Sequence, residues 1–189
     1  MRKETEAINA QVREENGCRR SRFHRGTRLK PYETHVWTGL EAGVSGLFKV
    51  FITSRVLERI ARDVNRPAER IGLLMGALDD GSLWVNDIIP AGVEMSEVHC
   101  AFPPHRLAQV ANDIVEGRIQ GRIVGWYHSH PGHGLFLSQT DLETHMQFHQ
   151  FSPYALSFVA DPKSGEFGIW IYDNGIGVVQ LPSSLIHII

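Results

Sequence analysis

Hydrophobic residues recur along the chain in two different periods from residue 47 onward. Short runs rich in Val, Ile, Leu and Phe predict seven strands, at 47–53, 69–78, 82–90, 121–130, 154–161, 165–173 and 176–181. Apolar residues spaced by three and four positions predict three helices, at 55–65, 104–118 and 138–150. Because the two element types are mixed in order, the pattern predicts an α/β fold with a central mixed β-sheet flanked by helices.

The N-terminal segment lacks this periodicity and differs in charge. Residues 1–31 hold nine Lys or Arg and four Asp or Glu, whereas the remaining residues hold ten basic and 17 acidic side chains. The sequence AGVSG at 42–46 is typical of a flexible joint. We therefore expect a basic, flexible arm at 1–45 and one folded domain at 46–189. The arm is either a solvated tail or an electrostatic tether to an acidic partner or nucleic acid.

Composition narrows the class of protein. Apolar residues make up 42% and charged residues 21%, which is typical of a globular chain rather than a disordered one. A net charge of −2 argues against a dedicated nucleic-acid binder, and no apolar run reaches the roughly 18 residues of a membrane-spanning helix. The N-terminus has no signal-peptide apolar core, and Cys18 and Cys100 cannot form a disulfide framework. We expect a cytoplasmic protein without a membrane partner.

The candidate chemistry lies between residues 128 and 141. Side chains two residues apart on a strand share a face, so His128 and His130 present two imidazoles on one side. After a turn rich in Gly and Pro, Ser138 is a plausible helix N-cap, and Asp141 falls in the first turn of that helix. Two imidazoles and a carboxylate suit Zn²⁺, and three protein ligands leave one tetrahedral position open, as in catalytic zinc sites. His-x-His alone is weak evidence, because surface or stacked histidines give the same pattern.

Hydrolysis at such a site also needs a base. Glu69 is a candidate because it opens the strand predicted at 69–78, where a side chain can sit at the rim of the sheet. Spacing alone does not identify the base, and an exposed acid that follows a proline by two residues is the plain alternative.

The segment GWYHSHPGHGLFLSQTD, residues 125–141, resembles the metal-binding signature of the JAMM (MPN+, Mov34/PAD-1) zinc metalloprotease family. That signature is an upstream Glu, then His-x-His, seven residues, Ser, two residues and Asp. It is met by Glu69, His128, His130, Ser138 and Asp141. The stretch GWYHSHPG is most similar to the branch of the proteasome-lid deubiquitinase and the signalosome deneddylase. The similarity covers about residues 47–175.

The resemblance implies a fold, a cofactor and an activity. The implied fold is the MPN (JAB1/cytidine-deaminase-like) fold. One Zn²⁺ per chain is implied at His128, His130 and Asp141, with Glu69 as general base and Ser138 supporting the oxyanion. The implied reaction is hydrolysis of the isopeptide bond between the C-terminus of ubiquitin, or a ubiquitin-like protein, and a substrate lysine. The implied partners are such conjugates, and a proteasome or a second MPN subunit.

Other functions share parts of this pattern. A metallopeptidase that trims the C-terminus of a ubiquitin-like or sulfur-carrier protein would use the same five residues. A non-catalytic MPN scaffold would pair with a second MPN domain, but silent members lack part of the ligand set that is intact here. A zinc deaminase would need a Pro-Cys-x-x-Cys stretch, which the sequence does not contain.

Residues around the signature have plainer interpretations. His133 is interpreted as a loop histidine without a ligand role. His145 and His149 are one helical turn apart and are interpreted as a polar helix face. Trp126 shares the strand face of the two signature histidines and is interpreted as packing behind the site. The irregular segment 91–104, which contains Glu94, corresponds to the family's flap over the substrate tail.

Overall fold

The computed structural model describes residues 28–33, 49–92 and 102–189. Its elements in chain order are β1 Lys30–Pro31, β2 Val50–Ile52, α1 Ser54–Val64, β3 Ile71–Asp79, β4 Ser82–Pro90, α2 Pro104–Val115, β5 Arg122–Ser129, α3 Gln139–Phe151, β6 Leu156–Asp161, β7 Glu166–Asp173, β8 Gly177–Gln180, a 3-10 turn Ser183–Leu185 and β9 Ile186–Ile188. None of the described helices combines the length and the apolar character needed to cross a membrane.

The strands form one mixed sheet, which confirms the predicted α/β architecture. Their order is β1-β7-β6-β5-β3-β4-β2-β9, and β8 also pairs with β7. Strand β5 lies in the middle, antiparallel to β3 and parallel to β6. The end of β5 that carries the candidate histidines is therefore flanked by paired strands on both sides.

The sequence pattern does not predict the edge strands β1 and β9, because they are too short to show a period. Strand β9 pairs parallel with β2. Strand β1 lies within the stretch predicted as an arm at 1–45, where it pairs parallel with β7 and leaves Leu29 only 3% exposed. Residues 1–27 and 34–48, which include the joint at 42–46, lie outside the described residues. The domain boundary between residues 45 and 46 therefore stays a prediction.

Each face of the sheet has its own apolar core. On one face, α1 begins at its cap Thr53, whose side chain accepts the Val56 N–H, and packs its buried stripe against the sheet. That core contains Tyr127 of β5. The opposite core contains Trp126 of β5 and Val110 of α2, with Phe148 of α3 packed against it. Adjacent residues of β5 thus point into different cores, as strand alternation requires.

Candidate metal centre

Three polar side chains converge at the C-terminal end of β5. The Nε2 atoms of His128 and His130 lie 3.1 Å apart. The Asp141 carboxylate reaches both rings, with Oδ1 3.3 Å from His128 Nε2 and Oδ2 3.5 Å from His130 Nε2. All three residues are buried. The described residues contain no other group of three His, Cys, Asp or Glu side chains close enough to share a metal ion.

Local sequence explains how Asp141 reaches the histidines. Ser138 caps helix α3, because its hydroxyl oxygen accepts the Asp141 N–H at 3.2 Å. In return, the Ser138 N–H donates to Asp141 Oδ2 at 2.8 Å. This reciprocal pair is a capping box with Asp in the place of Glu. It fixes the carboxylate of the first helical turn on the side that faces the two imidazoles.

The distances between these atoms fit zinc. In a tetrahedral site with metal–ligand bonds of about 2.0–2.1 Å, ligand atoms are separated by about 3.3–3.4 Å. The two Nε2 atoms are 3.1 Å apart, and each lies close to that distance from a carboxylate oxygen of Asp141, at 3.3 Å from Oδ1 for His128 and at 3.5 Å from Oδ2 for His130. Two nitrogens and one carboxylate oxygen are also the donor types that zinc uses in catalytic sites, where a fourth position stays open.

The electrostatic environment suits the same donor set. Burial lowers the pKa of His128, and this outweighs the nearby Asp141 carboxylate, so the ring is neutral. Burial alone would raise the pKa of Asp141. However, hydrogen bonds and charge interactions with His128 and His130, together with the Ser138 hydrogen bond, hold that pKa well below its usual range. Neutral imidazole and ionised carboxylate are the forms that bind metal.

An aromatic ring packs against each of the two histidines. Trp126 is fully buried and stacks on His128, with ring centroids 4.4 Å apart and an interplanar angle of 10°. Phe136, which is half exposed, lies against His130 at 4.5 Å. The Nδ1 atoms of both histidines have no hydrogen-bond partner in the described part of the chain. The interpretation of Trp126 as packing behind the site is confirmed.

Glu69 stands at the rim, just before β3. The last pair of the β3–β5 ladder joins Ile71 to His128. Beyond this pair, the Ser129 N–H still donates to the Arg70 carbonyl at 3.0 Å, so the two backbone segments remain side by side. Continued by two residues, this register sets Glu69 opposite His130. Glu69 is not a member of the group formed by His128, His130 and Asp141.

The sequence pattern gives no role to Asp161, although it shapes the loop between His130 and Ser138. Its Oδ1 accepts the Gly132 N–H at 2.8 Å, and its Oδ2 accepts the Gly134 N–H at 3.2 Å. A carboxylate at the end of an apolar strand is a visible signal. Its partners lie 27 and 29 residues away and are visible only in the fold.

One interpretation of the surrounding histidines is wrong. His145 is not on a polar helix face: it is fully buried, and its Nδ1 lies 2.7 Å from Ser157 Oγ of β6. The reason is that α3 packs on the sheet through the stripe Asp141, Thr144 and His145. His149 packs its ring on Tyr172, and His133 is exposed on the loop. Cys18, Glu94, Glu97 and Cys100 lie outside the described residues.

Comparisons with known proteins identify the family of this chain. The sequence profile of the JAB1/Mov34/MPN/PAD-1 ubiquitin protease family matches residues 45–154. The 26S proteasome regulatory subunit rpn11 of Schizosaccharomyces pombe is 34% identical over 121 residues, covering 60% of this chain and 38% of its own length. The NAD(+) hydrolase TcpA of Theionarchaea archaeon (strain DG-70-1) is 32% identical over 121 residues, covering 63% and 36%.

Further relatives extend the match. STAM-binding protein-like A of Danio rerio is 29% identical over 147 residues, covering 74% of this chain and 33% of its own length. This chain therefore spans about a third of the length of these curated relatives. The solution structure of protein DSY2949 from Desulfitobacterium hafniense has the same fold, with a TM-score of 0.58 at 19% identity over 74% of this chain and 92% of that one. Since the family profile covers more than half of the sequence, the chain belongs to the JAB1/Mov34/MPN/PAD-1 family and has its MPN fold.

Proposed function

We propose that this protein is a zinc-dependent isopeptidase. It hydrolyses the bond between the C-terminus of ubiquitin, or of a ubiquitin-like protein, and a substrate lysine. The observation that carries the proposal is the convergence of two imidazole nitrogens and one carboxylate at zinc-ligand spacing. Glu69 precedes the strand that pairs with β5 beside them. His128, His130 and Asp141 bind one Zn²⁺ per chain.

Held by His128, His130 and Asp141, a zinc ion would supply Lewis-acid chemistry, lowering the pKa of water and polarising the scissile carbonyl. Glu69 accepts a proton from the attacking water and returns it to the leaving lysine amine. The Ser138 hydroxyl oxygen accepts the Asp141 N–H, and its own proton donates to the developing oxyanion in place of the Asp141 carboxylate. Asp141 and the capping box keep that hydroxyl beside the ligand set.

The substrate class rests on the relatives. Two of them are named as a proteasome subunit and as a STAM-binding protein-like protein, and the family description names a ubiquitin protease. Conjugates of ubiquitin or a ubiquitin-like protein are therefore the proposed substrates, and a proteasome or a second MPN subunit is a proposed partner. A cytoplasmic location, expected from the composition, belongs to the same proposal.

The test combines metal analysis with a substrate panel. Wild-type protein purified without chelator is expected to hold one zinc per chain and to cleave isopeptide-linked conjugates. Glu69→Gln should keep the zinc and lose about 100- to 10,000-fold in kcat, the usual contribution of a general base. Glu58→Gln, an exposed residue of α1, is the matched control and should keep both.

Two outcomes contradict the proposal. Protein free of zinc after such a purification would remove the metal centre, and unchanged turnover by Glu69→Gln would remove its role as base. Linear fusions belong in the panel because cleavage of these alone would favour C-terminal trimming of a ubiquitin-like protein over isopeptide hydrolysis.

A further inference from the structure

The backbone next to Glu69 is tied to β5 beyond the end of the strand ladder. The Ser129 N–H donates to the Arg70 carbonyl at 3.0 Å, and the Arg70 N–H donates to the Ser129 hydroxyl oxygen at 3.0 Å. The residue that follows Glu69 is thus held on both its backbone polar groups by a single residue of β5. Ser129 lies between the two metal-site histidines, so this attachment links the position of Glu69 to theirs.

The side chain of Arg70 is held as firmly as its backbone. Its Nη2 and Nε donate to Asp63 Oδ1 at 3.0 and 3.3 Å. The two side chains are only 13% and 14% exposed, so solvent screens this ion pair little. Asp63 lies in the last turn of α1. An ion pair between Asp63, at the end of α1, and Arg70, just before β3, therefore closes the connecting segment 65–70.

Tyr127 completes the arrangement from β5. Its hydroxyl donates to Asp63 Oδ2 at 2.8 Å. Its ring fits because Gly72 has no side chain: a Cβ there would lie 2.3 Å from Tyr127 Cε1. By strand alternation, Tyr127 and Ser129 lie on the face of the sheet opposite His128 and His130.

We propose that Asp63, Arg70 and Tyr127 are positioning residues for Glu69. They hold its carboxylate at a fixed place relative to His128 and His130 from the opposite face of the sheet. The inference rests on the proposed function, in which Glu69 moves the proton. A displacement of about 1 Å at a reacting group can cost about 100-fold in rate, so a rim segment without such anchors would not serve a base.

Tyr127→Phe is the gentlest test, because it removes one hydroxyl and keeps the ring. Tyr172→Phe, a tyrosine of β7, is the matched control. Tyr127→Phe is expected to keep one zinc per chain and KM, and to lose about tenfold in kcat. Arg70→Lys keeps the charge but loses the two-nitrogen contact, and it should show the same split. Tyr172→Phe should match wild type in kcat.

A double variant separates positioning from general stability. Tyr127→Phe should cause no further loss of kcat when Glu69 is already Gln, because the base on which it acts is gone. A second readout needs no turnover: in zinc-free protein, Tyr127→Phe should speed amide hydrogen exchange at 65–70, while Tyr172→Phe should not.

Contrary results fall into two kinds. Wild-type kcat for Tyr127→Phe, or an equal loss of kcat in the Glu69→Gln background, would overturn the positioning role and leave the proposed function intact. Full activity of Glu69→Gln itself would overturn both. If Arg70→Lys does not fold, the kcat of Tyr127→Phe alone decides whether these residues position Glu69.

Discussion

The two faces of β5 treat buried polar groups in opposite ways. On one face, the Tyr127 hydroxyl and the Ser129 hydroxyl oxygen each have a protein partner, in Asp63 and Arg70. On the other face, the Nε2 atoms of His128 and His130 point at each other, and their Nδ1 atoms have no hydrogen-bond partner in the described chain. Burial of polar groups is costly unless they are paired. The two hydroxyl groups of the first face are paired across the fold, whereas on the second face two Nε2 atoms and the Asp141 carboxylate are brought together at metal-ligand spacing.

Helix caps show the same contrast. Thr53 begins α1 on the satisfied face, and its side chain accepts the Val56 N–H at 3.2 Å. Ser138 begins α3 on the histidine face, and the N–H it binds belongs to Asp141, whose carboxylate also approaches His128 and His130. One cap serves only the helix. The other also orients a metal ligand, so the two make a matched pair for experiment.

The largest effect is expected from breaking the histidine face itself. His130→Ala removes a ligand and should abolish stoichiometric zinc, because even an outer-shell partner is worth about 10- to 100-fold in metal affinity. Ser129→Ala, one residue earlier on the opposite face, should retain one zinc per chain. Metal content of the two purified variants, measured by atomic absorption, gives the comparison.

These variants can also refute the contrast. Equal zinc content in His130→Ala and wild type would show that the histidine face is not the metal centre. Loss of zinc from Ser129→Ala, with the protein folded by circular dichroism, would show that the two faces are not independent in metal binding.

The second effect divides the two caps. Ser138→Ala should lower kcat by about 100- to 1,000-fold, because one oxyanion donor is lost, and should lower the free energy of unfolding by about 1 kcal/mol through the lost cap. Thr53→Ala should show only the stability loss of about 1 kcal/mol. Steady-state turnover and urea unfolding of both variants check this. An equal fall in kcat for both would reduce Ser138 to a structural cap.

The sequence pattern predicts the arrangement of His128, His130 and Ser138 better than the contacts of Tyr127 and Asp161. Alternation along β5 suffices to put His128 and His130 on one side, and the Ser–Asp spacing predicts the cap at Ser138, because these are local rules of strands and helices. The partners of Tyr127 and Asp161 lie 64 and 27–29 residues away in sequence. No local period encodes such contacts.

The prediction for His145 is wrong for the same reason. Two histidines four residues apart are compatible with a solvent-facing helix surface, and only the packing of α3 on the sheet shows that His145 faces inward. The position of Glu69 can be predicted from the sequence only in part. Its strand is predictable, but its place opposite His130 depends on the register between β3 and β5.

His145 offers the smallest effect and tests a group that is satisfied only in part. Its Nδ1 pairs with the Ser157 hydroxyl, whereas its Nε2 has no partner in the described chain. Burial, with a smaller contribution from His149, lowers the pKa of His145 from 6.5 to about 4. Between these values the unfolded chain binds more protons than the folded one, so the free energy of unfolding rises with pH.

The stabilising contribution of neutral His145 is thus complete above about pH 6.5 and is lost as the pH falls toward about 4, by at most about 3 kcal/mol. His145→Gln should flatten the pH dependence of urea unfolding between pH 7 and 4.5 in zinc-free protein. His133→Gln should keep the wild-type dependence, because that side chain is exposed in the folded chain. If His145→Gln retained the wild-type dependence, the buried ring would not be excluding a proton, and the loss of stability on acidification would come from other groups.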